Sequence, residues 1–479
     1  MDNESFRAWS HRAADWGADY RRGLRDRPVR PLVEPGAIGK TIDAAAPEKP
    51  HAMEDIFADF ESKILPGMTH WQHPRFFAYF PANAAPVSVI AEYLVSAMAA
   101  QCMLWQTSPA ATELEVKMVD WLRQALGLDE GFSGVIQDSA SSATLAAVLT
   151  MRERALSWTG NSQGLANQKT VRIYSTMQVH TSIDRAIWIS GIGESNLVRI
   201  PVTGATRALD CNALDAAIMR DKAAGMLPAG VIACVGGTSI GATDNIREIC
   251  IIAARHGLYV HVDAAWAGAA MICPEFRHYW DGIDAADSIV FNPHKWLGAQ
   301  FDCSVQFLRD PKSLVKTLAI QPEYLKTHGK AGVINFSEWS VPLGRRFRAL
   351  KLWFLMRAHG MEQLREMIRN HVAWSQGLAI RLAAEPDFEI VSQPMLSLFS
   401  FRHRTDSLEG SDEHNISLVN QINDDGRIYL TQTRVDGKVA IRFQAGQFDM
   451  LEEDVRTAFD VIVACARRDK MMAQSSPRH

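Results

Sequence analysis

Residues 287–298 read DSIVFNPHKWLG, and the fold is decided here. The apolar run Ser288–Phe291 ends at Asn292-Pro293 and delivers Lys295 just beyond. A lysine at the end of a buried strand loses hydration, so it must be neutralised, paired or put to chemical use. Around it, short β-branched runs (GVIQ, VRIYS, LVRIPV, GVIACVGG, YVHVDAA, CSVQFLR) alternate with helical stretches such as SATLAAVLTMRERAL and NIREICIIAARHG. Nearly continuous apolar strands alternating with helices predict an α/β fold, its largely parallel sheet covered on both faces.

The flanks differ from this centre. Residues 1–85 read as helices joined by proline-bearing turns, an arm too short to bury its own apolar face and suited to packing on another subunit. The large domain is expected over 86–360. A smaller α+β domain follows over 361–479, with a hairpin whose turn is Asp436-Gly437, a pair that tolerates left-handed backbone.

Composition narrows the function. The chain has 479 residues, 47% hydrophobic and 22% charged, with a net charge of −4, so no basic surface for nucleic acid is expected. PVSVIAEYLVSAMAAQCML is interrupted by Glu92 and Gln101 and reads as a buried helix, so no membrane span is expected. The opening MDNESFRAWSHRAADW lacks the pattern of a secretory signal, and seven scattered cysteines without C-x-x-C spacing suit reduced thiols; the expected location is cytoplasmic.

Ligands of open α/β sheets sit at the carboxyl ends of strands. Four such ends carry informative residues. GVIQ leads into Asp138-Ser139-Ala140-Ser141 and a helix, where hydroxyls and free N–H groups suit a phosphate, although Ser139 or Ser141 could equally be a plain helix cap. YVHVDAAWAG ends in Asp263, a carboxylate that needs a cationic or hydrogen-bonding partner. His180 follows VRIYS, and Gly236-Gly237-Thr238 follows GVIACV, where glycine lets a backbone approach a flat or charged group. Singly, each has an ordinary structural reading. Together, a phosphate cradle, an acid, a flat neighbour and a carbonyl-seeking lysine meet the needs of pyridoxal 5′-phosphate.

The motifs HVDAAWAG, FNPHKWLG, FDCS, QDSASSATL and PLGRRFRALKLWF, with HWQHPRFFAYFP and SPAATELE, closely resemble the aromatic L-amino acid decarboxylases, the group II pyridoxal-phosphate enzymes. The likeness spans nearly the whole chain. It implies the aspartate-aminotransferase-like fold (fold type I), with a mostly parallel seven-stranded sheet, and a homodimer with shared active sites. It implies that Lys295 binds the cofactor covalently as an imine, that Asp263 pairs with the pyridine nitrogen, and that His180 stacks on the ring. Ala140, Ser141 and Asn292 would hold the phosphate, Thr238 would lie beside the cofactor, and Tyr324 would be the general acid. The implied reaction is decarboxylation of an aromatic L-amino acid to its arylalkylamine and carbon dioxide.

Trp71, Tyr79, Phe80 and Pro81 offer apolar walls for a flat side chain, and core packing is the plainer reading of the same residues. Gly344 matches a position where the family often carries glycine for indole or catechol substrates. Tryptophan, 5-hydroxytryptophan, DOPA, tyrosine and phenylalanine all stay open. Ala82 stands where relatives often have threonine, and Gln101 and Met103 where relatives line the neighbouring subunit's pocket. Two enzyme alternatives remain: an aldehyde synthase coupling decarboxylation to oxidative deamination, and a group II decarboxylase for another amino acid. Losing the loop tyrosine or the stacking histidine goes with the synthase, and both Tyr324 and His180 are present. A nicotinamide site would need more than SGIGES, and a zinc site more than His70 and His73 in H-x-x-H spacing; no metal is expected.

Overall fold

The computed structural model describes residues 1–320, 333–404 and 411–475, with side chains to residue 468. They form two compact units. The larger comprises Ala82–Gln376 and Ser392–Phe399, the smaller Met1–Pro81, Gly377–Val391 and Ser400–His479. The N-terminal stretch expected as a separate arm thus shares a unit with most of the C-terminal segment.

The larger unit is built on seven strands: β1 (Ser133–Gln137), β2 (Val171–Ser175), β3 (Leu197–Arg199), β4 (Leu227–Cys234), β5 (Tyr259–Asp263), β6 (Ser288–Phe291) and β7 (Ser304–Leu308). Their order across the sheet is β1-β7-β6-β5-β4-β2-β3. Only β7 runs against its neighbours, β1 and β6; the remaining pairs are parallel. This is the mostly parallel sheet expected from the apolar runs. Ile173, Val231, Val262, Val290 and Phe307 are fully buried, as a sheet covered on both faces requires. Each such side chain contributes roughly 1.5–3 kcal/mol relative to exposure.

Register then places the chemistry. Asp263 is level with Cys234 on one side and Val290 on the other, while Phe291 and Ile136 both oppose Val305. The carboxyl ends of β1, β6, β5 and β4 therefore share one edge of the sheet.

The helices of this unit include α2 (Pro86–Met98), α3 (Pro109–Leu126), α4 (Ala140–Ala155), α5 (Ser182–Ile189), α6 (Cys211–Ala223) and α7 (Ile246–His256). Local chemistry sets their ends. Asn245 caps α7 by accepting the Glu248 N–H at 3.2 Å, and Gly257 ends it at φ 73°. A long helix, α8 (Ala349–Ala384), is broken at Gly360, φ 66°.

The smaller unit holds α1 (Asn3–Arg22) and, apart from Ser392–Phe399, the residues of a four-stranded sheet of β8 (Phe388–Met395), β9 (Leu398–His403), β10 (Thr431–Val435) and β11 (Lys438–Gln444), ordered β8-β9-β11-β10. Val435 pairs Lys438, so Asp436 (φ 50°) and Gly437 (φ 78°) form the two-residue turn expected from Asp-Gly. Two helices complete it, α9 (Ser411–Asp425) and α10 (Glu452–Ser475).

Candidate active site

The site grows from five strand ends on that edge, those of β1, β6, β5, β2 and β4. After β1, Ser139 caps α4: its Oγ accepts the Ser142 N–H at 3.2 Å and donates to Asp138 Oδ1 at 3.0 Å. A cap satisfies one amide of the first turn and leaves others without an intrahelical acceptor. Those of Ala140 and Ser141 are left in this way, at a helix start that favours anions. The capping and phosphate readings are thus compatible, divided between Ser139 and its two successors.

At the end of β6, Asn292 is 3% exposed, and its Oδ1 has no hydrogen-bond partner. Which end of an amide is oxygen is an assignment, so an unpartnered buried amide terminus marks a place for a ligand. Its N–H donates to the Ala265 carbonyl at 2.8 Å, tying the ends of β5 and β6 together.

Asp263 closes β5. Buried to 9% exposure, it accepts the Ala265 N–H on Oδ1 at 3.0 Å. No described donor engages its other oxygen, which suits an N–H from a bound ring. His180 lies past β2, exposed on one side, with Nδ1 accepting the Ser182 N–H at 3.1 Å. The neutral ring therefore carries its proton on Nε2. Protein crowding on its other side holds the imidazole pKa below its ordinary value; Asp263 opposes this and Lys295 reinforces it. Strand register brings Asp263 and the turn carrying Lys295 to the same sheet edge as His180.

Gly236 and Gly237, at the end of β4, directly precede Thr238. A Cβ on Gly236, φ 79°, would stand 2.5 Å from that of Ala267, and one on Gly237 would stand 2.8 Å from the Gln178 carbonyl. Only glycine lets the Gln178 carbonyl approach Gly237 so closely, next to the half-buried Thr238.

Lys295 sits on the turn Pro293–Leu297, ended by Gly298 at φ 102°. The residue is half-buried. Its carbonyl accepts from Asn83 Nδ2 at 2.6 Å, and its N–H donates to the Asn292 carbonyl at 2.9 Å. Asn83 also donates its own N–H to the His294 carbonyl at 2.8 Å. Sequence reasoning missed Asn83 because 212 positions separate the partners.

The residues expected to contact substrate divide between the two units. Ala82, Met103 and Gly344 belong to the larger unit. Gly344 lines a cavity of about 50 Å³ with Asp138, Arg345 and Arg348, beside the turn that leads to Ser139. The Met103 carbonyl accepts the Ser337 N–H at 3.0 Å, Gln101 Oε1 accepts that of Arg345 at 2.7 Å, and Ala82 is half-buried. Trp71, Tyr79, Phe80 and Pro81 belong to the smaller unit. There Trp71 stacks on Tyr79 at 5.8 Å, while Phe80 and Pro81 are buried.

The smaller unit contains a residue that sequence reasoning overlooked. Arg442, on β11, is 3% exposed, faces the Phe80 ring at 4.4 Å and donates to the Tyr79 carbonyl, yet its Nε and Nη2 have no partner. Burial lowers its pKa to about 9. In VAIRFQ it reads as an ordinary strand arginine. His70 bonds the Tyr20 hydroxyl at 2.8 Å, and His73 accepts the Arg75 N–H at 2.9 Å. Tyr324 lies outside the described residues.

A helix start with unused amides, an unpartnered buried amide, a carboxylate with one oxygen open and a lysine on the same edge fit pyridoxal 5′-phosphate. Known proteins agree. Residues 35–404 match the pyridoxal-dependent decarboxylase conserved domain. The chain is 40% identical to the aromatic-L-amino-acid decarboxylase of Mus musculus over 92% of its length and 93% of that protein. It is 37% identical to the phenylacetaldehyde synthase of Arabidopsis thaliana, over 96% of each. Among solved structures, Oryza sativa TDC with PLP and tryptamine superposes with a TM-score of 0.94 at 35% identity, covering 98% of this chain and 99% of that one. With site, fold and sequence in agreement, the chain belongs to the pyridoxal-dependent decarboxylases and uses pyridoxal 5′-phosphate as its cofactor.

Proposed function

We propose that the protein decarboxylates an aromatic L-amino acid, releasing the arylalkylamine and carbon dioxide. The observation that carries this reading is that Lys295, Asp263 and His180 follow parallel strands whose carboxyl ends share one sheet edge, supported by relatives named for aromatic amino acids. The cofactor, when bound, supplies the electron sink for the bond to the departing carboxylate. The chain's residues do the rest. Lys295 offers the amine that holds the cofactor's aldehyde. The open oxygen of Asp263 retains a proton on the ring nitrogen. The Ala140 and Ser141 amides with Asn292 would hold the phosphate, and Thr238 would lie beside the cofactor. His180 presents its Nε2–H towards ring and substrate. Tyr324 is the proposed general acid, returning a proton to Cα. Trp71, Tyr79, Phe80, Pro81, Ala82, Met103 and Gly344 are the proposed substrate contacts.

Assembly belongs to the same proposal. The helix α1 has no buried residue, and α2 exposes Val89, Ile90, Tyr93, Leu94 and Met98. Contiguous apolar surface of this kind marks a protein interface, supporting a homodimer with shared sites. All seven cysteines are free and buried, consistent with a cytoplasmic location, and no described helix is long and apolar enough to cross a membrane.

The deciding experiment measures amine, carbon dioxide, aldehyde and oxygen uptake across tryptophan, 5-hydroxytryptophan, DOPA, tyrosine and phenylalanine. Amine and carbon dioxide in equal amounts without oxygen uptake are expected. Aldehyde with ammonia and peroxide would assign the aldehyde-synthase reaction instead, and turnover of only non-aromatic acids would overturn the substrate class.

A further inference from the structure

We propose that Lys351 is a positioning residue for the turn that carries Lys295. The proposal rests on the reading that Lys295 holds the cofactor. Lys351 lies in the first turn of α8 and is 1% exposed. Burying an ammonium costs several kcal/mol unless every proton and the charge are matched. Here they are. Its Nζ donates to the Gln300 carbonyl at 3.0 Å, to Gln300 Oε1 at 2.9 Å and to the Asp302 carbonyl at 2.9 Å, which uses all three protons. Glu92 Oε1, 2.8 Å away, supplies the counter-charge and is itself paired with Arg346.

What the ammonium grips is the return leg of the Lys295 turn. Beyond Asp302, the Cys303 N–H donates to His294 Nδ1 at 2.8 Å, and the His294 N–H returns to the Cys303 carbonyl at 3.2 Å. His294 directly precedes Lys295. The same leg is pinned elsewhere: the Gln300 N–H donates to Ser88 Oγ at 2.9 Å, the Gly298 carbonyl accepts the Ala85 N–H at 2.9 Å, and Arg348 Nε holds Asp302 Oδ1 at 2.8 Å. Asn83 thus fixes the front of the turn, and Lys351 fixes its back through two carbonyls. A lone cation satisfying two backbone carbonyls within three residues sets the path of that segment. Loosening it displaces the backbone from which the Lys295 side chain starts. Each hydrogen bond of Lys351 ends on Gln300 or Asp302, so its influence on the chemistry passes through that turn.

The test compares the wild-type holoenzyme with Lys351→Met, which keeps length and loses donors and charge. Two readouts complement turnover: cofactor affinity, from titration of the apoprotein, and the pH midpoint of the visible absorbance of bound cofactor. In Lys351→Met, we expect cofactor Kd to rise about tenfold and kcat to fall ten- to a hundredfold with KM little changed, as for other supporting-residue losses. The absorbance midpoint moves by about half a pH unit or more. Should Lys351→Met fail to fold, Glu92→Gln removes the counter-charge, along with the Arg346 ion pair, while leaving the three Lys351 hydrogen bonds in place, and shifts the same readouts in the same direction, by about threefold in Kd. As a control, Asp221→Asn breaks buried contacts with Arg172 and Tyr174 at the far side of the sheet and lowers stability without moving the midpoint. A folded Lys351→Met with wild-type affinity and midpoint would overturn the proposal, as would an unmoved Glu92→Gln or an Asp221→Asn that moves the midpoint equally. Failure of the underlying reading looks different: wild-type protein would show no visible band and no borohydride-trapped label on Lys295.

Discussion

At the scale of the residue, the proposed chemistry rests on Lys295, Asp263 and His180. Lys295→Ala is expected to abolish both the visible band and carbon dioxide release, a loss of at least about 10³-fold in kcat, because it removes the amine proposed to hold the cofactor. Absorbance and released gas from the same sample check it. His180 offers a subtler test. Its lowered pKa keeps it neutral through the neutral range, with the proton on Nε2 and Nδ1 held by Ser182. His180→Asn keeps a donor but loses the flat ring, so kcat should fall about 10²-fold while the band persists. A variant that lost its colour instead would mean that His180 acts mainly in holding the cofactor.

At the scale of the element, β1 and α4 act together. Ser139→Ala removes an N-cap, which costs about 1 kcal/mol. It also frees the first turn that presents Ala140 and Ser141, so cofactor affinity should weaken several-fold along with stability, as thermal unfolding with and without cofactor would show. Gly236→Ala is the harsher change. The new methyl would meet Ala267 at 2.5 Å in a left-handed conformation, so a loss of about 1–3 kcal/mol is expected. A wild-type melting temperature would show that the β4 end yields more readily than this packing implies.

At the scale of the whole molecule, buried imidazoles set the response to acid. Burial is the largest cause in each case, pushing His73, His294 and His371 down to about 3 and His261 to about 4. Unfolded, these rings take up protons near 6.5, so between that pH and about 4 the unfolded chain binds more protons than the folded one. Stability therefore rises with pH across that window and falls as the solution is acidified. Denaturant midpoints at pH 7, 6, 5 and 4 should drop progressively; a flat profile would mean the rings are reached by solvent. Assembly is the other property at this scale. Ile90→Lys puts a charge in the exposed apolar face of α2 and should shift sedimentation towards monomer with loss of activity. A fully active monomer would remove the shared-site reading.

Much of this was legible in one dimension, because some signals are local. The strands read as apolar runs, Asn245 and Gly257 bound a helix by their own backbone preferences, and Asp436-Gly437 dictates its turn whatever surrounds it. Lys295, Asp263 and the turn after β1 stood at strand ends, where an α/β sheet collects its ligands. What required the folded molecule was every relation between distant segments. Asn83 under the Lys295 carbonyl, the unpartnered amide of Asn292, the open guanidinium nitrogens of Arg442 and the grip of Lys351 on Gln300 and Asp302 leave no mark on the residues beside them. The grouping of Met1–Pro81 with the C-terminal segment is of the same kind. Backbone preference acts over a few residues and is written in neighbours. Hydrogen-bond satisfaction in a dry interior is a property of whatever the fold brings together, and it exists only once the chain has closed on itself.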